Sequence, residues 1–427
     1  MSISESQLLS PSADLPLAIL PIIRQHASDA AFYWGQITNS EFSVLQNQQN
    51  ILDFQYYLDA NLDGLSAAGE YGWQEALKSL KRWRTQGEAF VCGYLAHNSE
   101  NSDYIDACWK IFKQSPQTTL NGYAAVLSYL PYDAISPYIT YLLSSGDADR
   151  IYVAITVCAN HKHSLDIKFI NACANHENAE VRSAICQYVL LSGRRDFLPL
   201  IQFLVDDVDL LVKYTSTYAL SWLAPYDNYT FEAVWQTIQV YLSAPLQKGL
   251  PGLNHAKRLE TLVRVAGQLT SCHDRNISHY INLLPLYLQV LFFAHSGKSE
   301  YLPHLYAYLS DETVSRLAFW AIHMITGLNI NDSHYLTFAA NEKSDLAPIN
   351  TRCSQISAGI GWPDKEVIET EYVTTSMGSS FLGEEISDSV CKKYLAKGKQ
   401  VERYIAAWHL CRMDSRGGWI NICSVKE

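Results

Sequence analysis

The segment Ser296-Gly-Lys-Ser299 has the residues that end a phosphate-binding loop. In such a loop, backbone N–H groups cradle the phosphates, the lysine neutralises their charge and the hydroxyl binds magnesium. The motif also needs a glycine five residues before Gly297, where this chain has Phe292, and no strand is predicted ahead of it. The sequence therefore favours an inter-helix turn over a nucleotide site.

Two further groups have side chains suited to metal binding or nucleophilic catalysis. His161 and His163 place two imidazoles near a predicted helix end, with His176 downstream. Zinc takes three or four ligands, and no cysteine or histidine at suitable spacing completes a set, so we expect no bound metal or other cofactor. Cys272-His273-Asp274 sets a nucleophile, a base and an acid side by side, but adjacent residues of one segment point in different directions.

Paired carboxylates are the remaining candidates for acid–base chemistry. They occur at Asp206-Asp207 and at Glu384-Glu385. Neither pair is flanked by residues that would build an apolar pocket and raise one pKa, which general acid catalysis requires. We interpret them as helix caps and loop residues. The sequence therefore contains no catalytic constellation, and we predict that the chain is not an enzyme.

A repeat of about 30 residues organises the middle of the chain. Asp147-Ala-Asp-Arg-Ile-Tyr-Val-Ala-Ile155 aligns with Glu177-Asn-Ala-Glu-Val-Arg-Ser-Ala-Ile185, and further copies begin at Asp209 and Asp311. Apolar or small residues recur in each copy at the spacing of one buried helix face. The pattern predicts an all-α fold, a HEAT-like α-solenoid of antiparallel helix pairs with a small mixed C-terminal region.

Charged residues recur at fixed places in the repeat. An acid precedes each stripe, at Asp147, Glu177, Asp207, Asp209 or Asp311. These acids suit helix N-termini, where they cap free N–H groups and meet the positive end of the helix dipole. A basic residue follows the first apolar position at Arg182, Lys213 and Arg316. We predict that these basic residues bridge to the acid of a neighbouring repeat.

Composition limits the class of partner and the compartment. The net charge of −11 argues against a general nucleic-acid binder, which needs a basic surface to displace counterions. Packing between helices explains most of the 27 tyrosines, and their excess also favours a protein interface. Ten scattered cysteines without a Cys-x-x-Cys motif, and a polar N-terminus, indicate a cytoplasmic protein. The longest apolar run, residues 281–294, is too short to span a membrane.

The order of segments predicts four regions. Residues 1–16 form a disordered tail, 17–340 the HEAT-like solenoid and 341–363 a loop. Residues 364–427 form a C-terminal helical region with short extended segments, which we expect in Glu369–Phe381; the closing Gly417–Cys423 suits a short strand or a docked tail.

Short blocks along most of the chain resemble a family of conserved hypothetical HEAT-like proteins of proteobacteria, often encoded near type VI secretion genes. The blocks are Ile19–Trp34, Leu62-Asp-Gly-Leu65, Ala68-Gly69, Gly72-Trp73, Gly87-Glu-Ala-Phe90, Arg316-Leu-Ala318, Ile325-Thr-Gly-Leu328, Trp362-Pro-Asp364 and Gly398–Ala407. The resemblance implies association with secreted antibacterial toxins and brings no catalytic residues. The family's acidic linker is replaced here by the nearly neutral segment Asn341–Gly361, so no interaction through that linker is inferred.

Two functions are compatible with these features. The first is a cytoplasmic immunity protein that binds and neutralises a type VI secretion toxin encoded nearby, a basic one if charge guides binding. The second is a chaperone or adaptor that loads an effector onto the secretion spike. In either case the partner is a protein, with no direct contact to nucleic acid or membrane. Positions off the buried stripes are expected to face it: Val153, Val157, Ser183, Gln187, Tyr214 and Tyr218.

Overall fold

The computed structural model describes residues 19–99, 101–225, 227–245, 248–271, 277–337, 352–371, 378–414 and 418–424. Helix makes up 74% of the structure and strand 3%, which confirms the predicted all-α class. The predicted tail at 1–16 and residues 341–351 of the predicted loop lie outside the described residues. Within the described ranges, every helix is too short or too polar to cross a bilayer.

The chain divides into two compact units. The first comprises Met1–Thr38 and Leu52–Ser136, and the second comprises Asn39–Ile51 and Pro137–Glu427. Two of the three boundaries between the units fall inside helices, α2 (Gln48–Ala67) and α7 (Tyr132–Leu143), and the third follows Thr38. The other helices of the first unit are α1 (Leu20–Thr38), α3 (Glu70–Trp83), α4 (Gln86–His97), α5 (Asp103–Phe112) and α6 (Pro116–Tyr129).

The second unit contains the repeats and the C-terminal region. Its helices are α8 (Ala148–Asn160), α9 (Ile167–Ala174), α10 (Ala179–Ser192), α11 (Leu198–Val205), α12 (Leu210–Leu223), α13 (Asn228–Ser243), α14 (Gly249–Ser271), α15 (Ser278–Ile281), α16 (Leu286–Ser296), α17 (Leu302–Tyr308), α18 (Ser315–Thr326), α19 (Arg352–Ile356), α20 (Lys365–Glu371), α21 (Asp388–Lys397) and α22 (Gln400–Met413). Short 3-10 turns occur at Arg195–Phe197, Ser299–Tyr301 and Ser333–Tyr335. Helix α19 lies within the segment predicted as a loop.

In the first unit, α4 packs against α1, α3 and α6. The approach of α6 to α4 depends on Gly122, because a Cβ there would lie 1.9 Å from the carbonyl oxygen of Gln86. Trp34 of α1 stacks on Phe90 of α4 with ring centroids 5.5 Å apart. The Trp34 and Phe90 rings therefore fill the contact between α1 and α4, and the missing side chain at Gly122 lets α6 approach α4 closely.

The repeat copies form successive packed helices in the second unit. Helices α8, α10 and α12 begin at equal intervals of 31 residues, and α10 packs against both of the others. The stripe residues Val181, Ala184 and Val212 are fully buried. The sequence pattern therefore identified the seam between these helices.

Side chains cap the repeat helices much as predicted. Asp147 accepts a hydrogen bond from the N–H of Arg150 at the start of α8, and Asp209 accepts two at the start of α12. At α10 the cap is Asn178, and the predicted Glu177 lies one residue too early. A short acceptor at this position satisfies N–H groups that the first helical turn leaves free.

The predicted bridge between repeats is present at Arg182. Its Nε and Nη2 lie 2.8 and 2.9 Å from the two carboxylate oxygens of Asp207. The other two basic residues act differently. Lys213 donates from Nζ to the carbonyl of Val205 at 3.2 Å, and the Arg316 guanidinium lies over the Trp362 ring at 5.0 Å.

The C-terminal region contains one antiparallel hairpin, with β1 (Ser380–Phe381) paired to β2 (Glu384–Glu385). Its turn docks on the end of α18, where the N–H of Leu382 donates to the Met324 carbonyl at 2.8 Å. The predicted extended stretch begins within α20 and ends in β1, while its residues 372–377 lie outside the described residues. Residues 418–424 contain no strand.

Candidate functional site

Three of the six residues predicted to face a partner are buried. Val153 and Val157 on α8 are fully inaccessible, and Ser183 on α10 is 1% exposed. The prediction assumed that only one stripe of each helix is covered. In fact eight of the 13 residues of α8 and eight of the 14 of α10 are buried, so these helices are covered on more than one face. These three side chains offer no surface to a partner.

The other three, Gln187, Tyr214 and Tyr218, line a cavity of about 260 Å³ in the second unit. The remaining lining residues are Glu41, Leu190, Leu191, Thr215, Thr261 and Trp419. Helices α10, α12 and α14 form the walls, while Glu41 and Trp419 come from segments distant in the sequence. The structure therefore brings half of the predicted residues together, around a pocket.

Two tyrosines form one wall of this cavity. Tyr214 and Tyr218 lie one turn apart on α12, with ring planes within 9° and centroids 5.9 Å apart. Burial raises the pKa of both phenols well above the usual range, so both rings are neutral at physiological pH. The Arg258 guanidinium lies 5.9 Å from the centroid of Tyr214, which shows that this ring already attracts a cation.

Glu41 is the charged residue of the cavity lining. It is half-buried, and its carboxylate makes no hydrogen bond or ion pair with the residues that the structure describes. Burial raises its pKa to about 7, although the charge of Arg264 partly opposes this shift. A carboxylate that loses part of its hydration without gaining a hydrogen bond is costly, which is why its protonated form is favoured.

Arg264 is not part of the cavity lining, although its charge acts on Glu41. It is 2% exposed, and its guanidinium carbon lies 4.6 Å from the centre of the Phe42 ring. Its Nε and Nη1 atoms have no hydrogen-bond partner within the described part of the chain. Its charge is therefore balanced by the ring and by the field of nearby carboxylates, chiefly Glu260.

A second candidate lies on α1 and α2, where five aromatic rings form one cluster, three of them exposed and two half-buried. We call Phe32, Tyr33, Phe54, Tyr56 and Tyr57 the aromatic face. Tyr33 stacks on Tyr57 at 5.1 Å, with Phe32 5.4 Å from Tyr33 and Tyr56 5.7 Å from Tyr57. Phe32 is 57% and Tyr56 70% exposed. Large exposed apolar clusters are uncommon on monomers and mark interaction sites.

The aromatic face lies beside acidic groups. Helix α2 contains Asp53, Asp59 and Asp63 and no lysine or arginine. Asp59 accepts a hydrogen bond from the Tyr129 hydroxyl at 2.5 Å, whereas Asp53 and Asp63 are exposed. The surface thus combines apolar rings with negative charge.

The segment that resembles a phosphate loop is an inter-helix turn, as predicted. Gly297 ends α16 in the left-handed conformation, with φ of 63°. Its carbonyl accepts a hydrogen bond from the N–H of Ser380 at 2.9 Å, and a Cβ at Gly297 would lie 2.1 Å from the Ser380 carbonyl oxygen. The C-terminal hairpin therefore occupies the space that a phosphate would need.

The other chemical motifs stay dispersed. His161 is the C-cap residue that follows α8, while His176 accepts through Nδ1 from the N–H of Asn178. Among the described residues, no group of three or more His, Cys, Asp or Glu side chains could hold a metal ion. Cys272-His273-Asp274 lies outside the described residues.

Sequence reasoning missed both Glu41 and the aromatic face. Only tertiary packing places Glu41 beside Tyr214, so no local signal could have identified it. The aromatic face does have a signal: Phe32-Tyr33-Trp34 and Tyr56-Tyr57 are runs of adjacent rings. A helix cannot bury all of them on one face, and Trp34, at 8% exposure, is the one placed in the core.

No family model, curated protein or solved structure matches this chain.

Proposed function

We propose that this chain is a non-enzymatic protein-binding scaffold whose helix pairs stack as a HEAT-like α-solenoid. The regular interval of α8, α10 and α12 supports the solenoid. The observation that carries the binding function is the aromatic face on α1 and α2. Exposed tyrosines and phenylalanines that stack on one another provide large, rigid contact area, and such residues dominate the energetics of protein interfaces.

The partner has a basic surface. Three aspartates and no basic residue on α2 give the rim of the aromatic face a negative charge. The chain as a whole has 43 acidic against 32 basic residues. Opposite charge on the partner speeds association and excludes acidic competitors.

The partner we propose is a toxin of a type VI secretion system encoded nearby, which this chain neutralises in the cytoplasm as its immunity protein. The resemblance to HEAT-like proteins encoded near type VI secretion genes supports this assignment. A toxin that acts on nucleic acid is basic and would complement the acidic surface.

Co-expression tests the proposal. Cells producing the toxin encoded next to this chain should survive when the chain is co-expressed, and affinity purification should recover the pair. The double variant Tyr56→Ala/Tyr57→Ala should lose protection, because single interface anchors of this kind contribute about 2 kcal/mol or more. Tyr71→Ala is the matched control, since Tyr71 is a 47% exposed tyrosine on α3, outside the aromatic face.

Two outcomes would replace this assignment. If cells die while both proteins are soluble and do not associate, the chain is not the immunity protein of that toxin. If the pair forms with the toxin still active, the chain is a chaperone or adaptor that delivers it.

A separate outcome concerns the location of the interface. If the double variant protects as well as Tyr71→Ala does, the aromatic face is not the binding surface.

A further inference from the structure

We infer that the cavity lined by Glu41, Tyr214 and Tyr218 binds a small organic ammonium ion. This site belongs to the second unit, and the inference does not depend on the proposed protein partner. It goes beyond that function by assigning the chain a small-molecule ligand.

Charge sets the class of ligand. The lining contains one ionisable carboxylate, Glu41, and no lysine, arginine or histidine. Within the described residues the carboxylate makes no hydrogen bond or salt bridge and feels only the charge of Arg264, so a cation entering the cavity would gain an ion pair without breaking one. An anion would instead face Glu41 directly, because Arg264 lies outside the lining.

Aromatic rings make an organic cation fit better than a metal ion. Tyr214, Tyr218 and Trp419 all line the cavity, and electron-rich ring faces attract alkylammonium groups. Arg258 already occupies the neighbourhood of Tyr214, at 5.9 Å from its ring centroid, which leaves Tyr218 and Trp419 for a ligand. Calcium or magnesium takes about six oxygen ligands, whereas this lining offers one carboxylate, one amide and a few hydroxyls.

Size restricts the ligand further. The volume of about 260 Å³ lies below the roughly 300–1,000 Å³ of sites for drug-sized molecules. The polar groups beside the carboxylate are the amide of Gln187, the hydroxyls of Thr215 and Thr261, and the polar ends of the Tyr214, Tyr218 and Trp419 rings. A compact ammonium ion with an apolar body and at most one hydroxyl matches this lining.

Calorimetric titration of the full chain at pH 8 tests the inference. Choline and n-butylammonium serve as probes, and 3,3-dimethyl-1-butanol serves as the neutral isostere of choline. We expect at least one ammonium probe to bind at a single site with a dissociation constant of about 1 mM or lower. The neutral isostere should bind about tenfold more weakly or not at all, because it has no charge for Glu41 or the rings.

Variants locate the binding to the cavity. Glu41→Gln keeps the size of the side chain and removes its charge, and Tyr218→Leu removes a ring; each should weaken binding about tenfold. Tyr218→Phe keeps the ring and should bind like the parent. Glu366→Gln makes the same charge change at an exposed residue of α20 and serves as the control. Circular dichroism confirms that each variant is folded.

The inference is overturned if neither ammonium probe binds when its concentration is raised to about ten times the expected dissociation constant. It is equally overturned if 3,3-dimethyl-1-butanol binds as tightly as choline. Unchanged binding in folded Glu41→Gln would place any ammonium site elsewhere on the chain.

Discussion

Arg182 and Asp207 join two successive copies of the repeat through a two-pronged ion pair. The guanidinium donates from Nε and Nη2 to the two carboxylate oxygens, at 2.8 and 2.9 Å. Its Nη1 donates to the carbonyls of His176 and Glu177, while Asp207 also accepts from the N–H of Asp209 at 2.8 Å. Both side chains are at least 87% buried. One side-chain pair thus holds the turn before α10 to the turn before α12.

Removing Asp207 should therefore destabilise the protein. Asp207→Ala leaves a largely buried guanidinium without its carboxylate, which should lower the free energy of unfolding by about 2–4 kcal/mol. Asp196→Ala is the control, since Asp196 pairs with Arg194 at the surface with 58% of its side chain exposed. That change should cost less than about 1 kcal/mol. Urea unfolding of both variants measures these free energies. Equal losses would show that the buried Arg182–Asp207 pair stabilises the fold no more than the surface pair does.

The same pair should contribute to acid unfolding. Burial raises the pKa of Asp207, but hydrogen bonds from Arg182 and from the N–H of Asp209 outweigh it, and the net shift is downward. A carboxylate with a depressed pKa stabilises the fold above its unfolded pKa of about 3.9, and this contribution is lost as pH falls further. The stability difference between the parent and Asp207→Ala should therefore shrink in denaturation at pH 3 relative to pH 7.

Glu41 should have the opposite pH dependence. Its pKa is raised to about 7, so the folded state favours the proton more than the unfolded state does. This contribution to stability is complete below the unfolded pKa of about 4.3 and is lost as pH rises through about 7. Charged or titratable groups coupled to Glu41 come from three helices and the C-terminal segment: Arg264, Tyr214, Tyr218, Tyr404 and Cys423.

Melting curves of Glu41→Gln should reveal this dependence. The variant should melt higher than the parent at pH 8, where the parent must ionise a carboxyl group inside the cavity. The advantage should shrink as pH falls and vanish near pH 4, because both proteins then have a neutral group at this position. A constant difference at every pH would mean that Glu41 titrates like an exposed residue.

Two glycines should respond to alanine in opposite ways. Gly122→Ala would force a Cβ to 1.9 Å from the Gln86 carbonyl oxygen, so α6 must move away from α4 at a cost of about 1–3 kcal/mol. Gly35 in α1 has nothing within 4 Å of its Cβ position, so Gly35→Ala should stabilise the helix by about 0.5–1 kcal/mol. Thermal unfolding of the two variants compares the same added methyl group where it meets a neighbouring helix and where it meets no atom within 4 Å. A loss of stability in both would mean that helix packing is not the cause.

The sequence was most informative where structure depends on neighbours along the chain. The stripe that begins at Val181 identified the buried seam of α10, and the spacing of Asp147 and Asp209 identified two helix starts, because both depend on local periodicity. At α10 the predicted cap was one residue early, since Glu177 and Asn178 are both plausible acceptors and only the backbone path decides between them.

Sites formed by distant segments could not be predicted in this way. The burial of Val153 reflects neighbouring elements that cover a second face of α8, and periodicity within one helix reports only its most apolar face. Glu41 and Trp419 reach the wall formed by Tyr214 and Tyr218 from positions at least 173 residues away in the sequence. The chemistry of the cavity is therefore a property of the packed second unit, although Tyr214 and Tyr218 were singled out from their helix positions.

The kinetics of partner binding should separate the charge of α2 from the aromatic face. Asp53→Asn/Asp63→Asn removes two exposed acids, so association with a basic partner should slow about two- to fivefold in low salt, while dissociation changes little. Raising the ionic strength should slow the parent more than this variant, because screening acts beyond a Debye length of about 8–10 Å. Tyr56→Ala/Tyr57→Ala should mainly speed dissociation, since the lost contacts are short-ranged. Surface plasmon resonance at two salt concentrations measures both rates. An association rate that is independent of salt in the parent would exclude a basic partner surface, even if the aromatic face still controls dissociation.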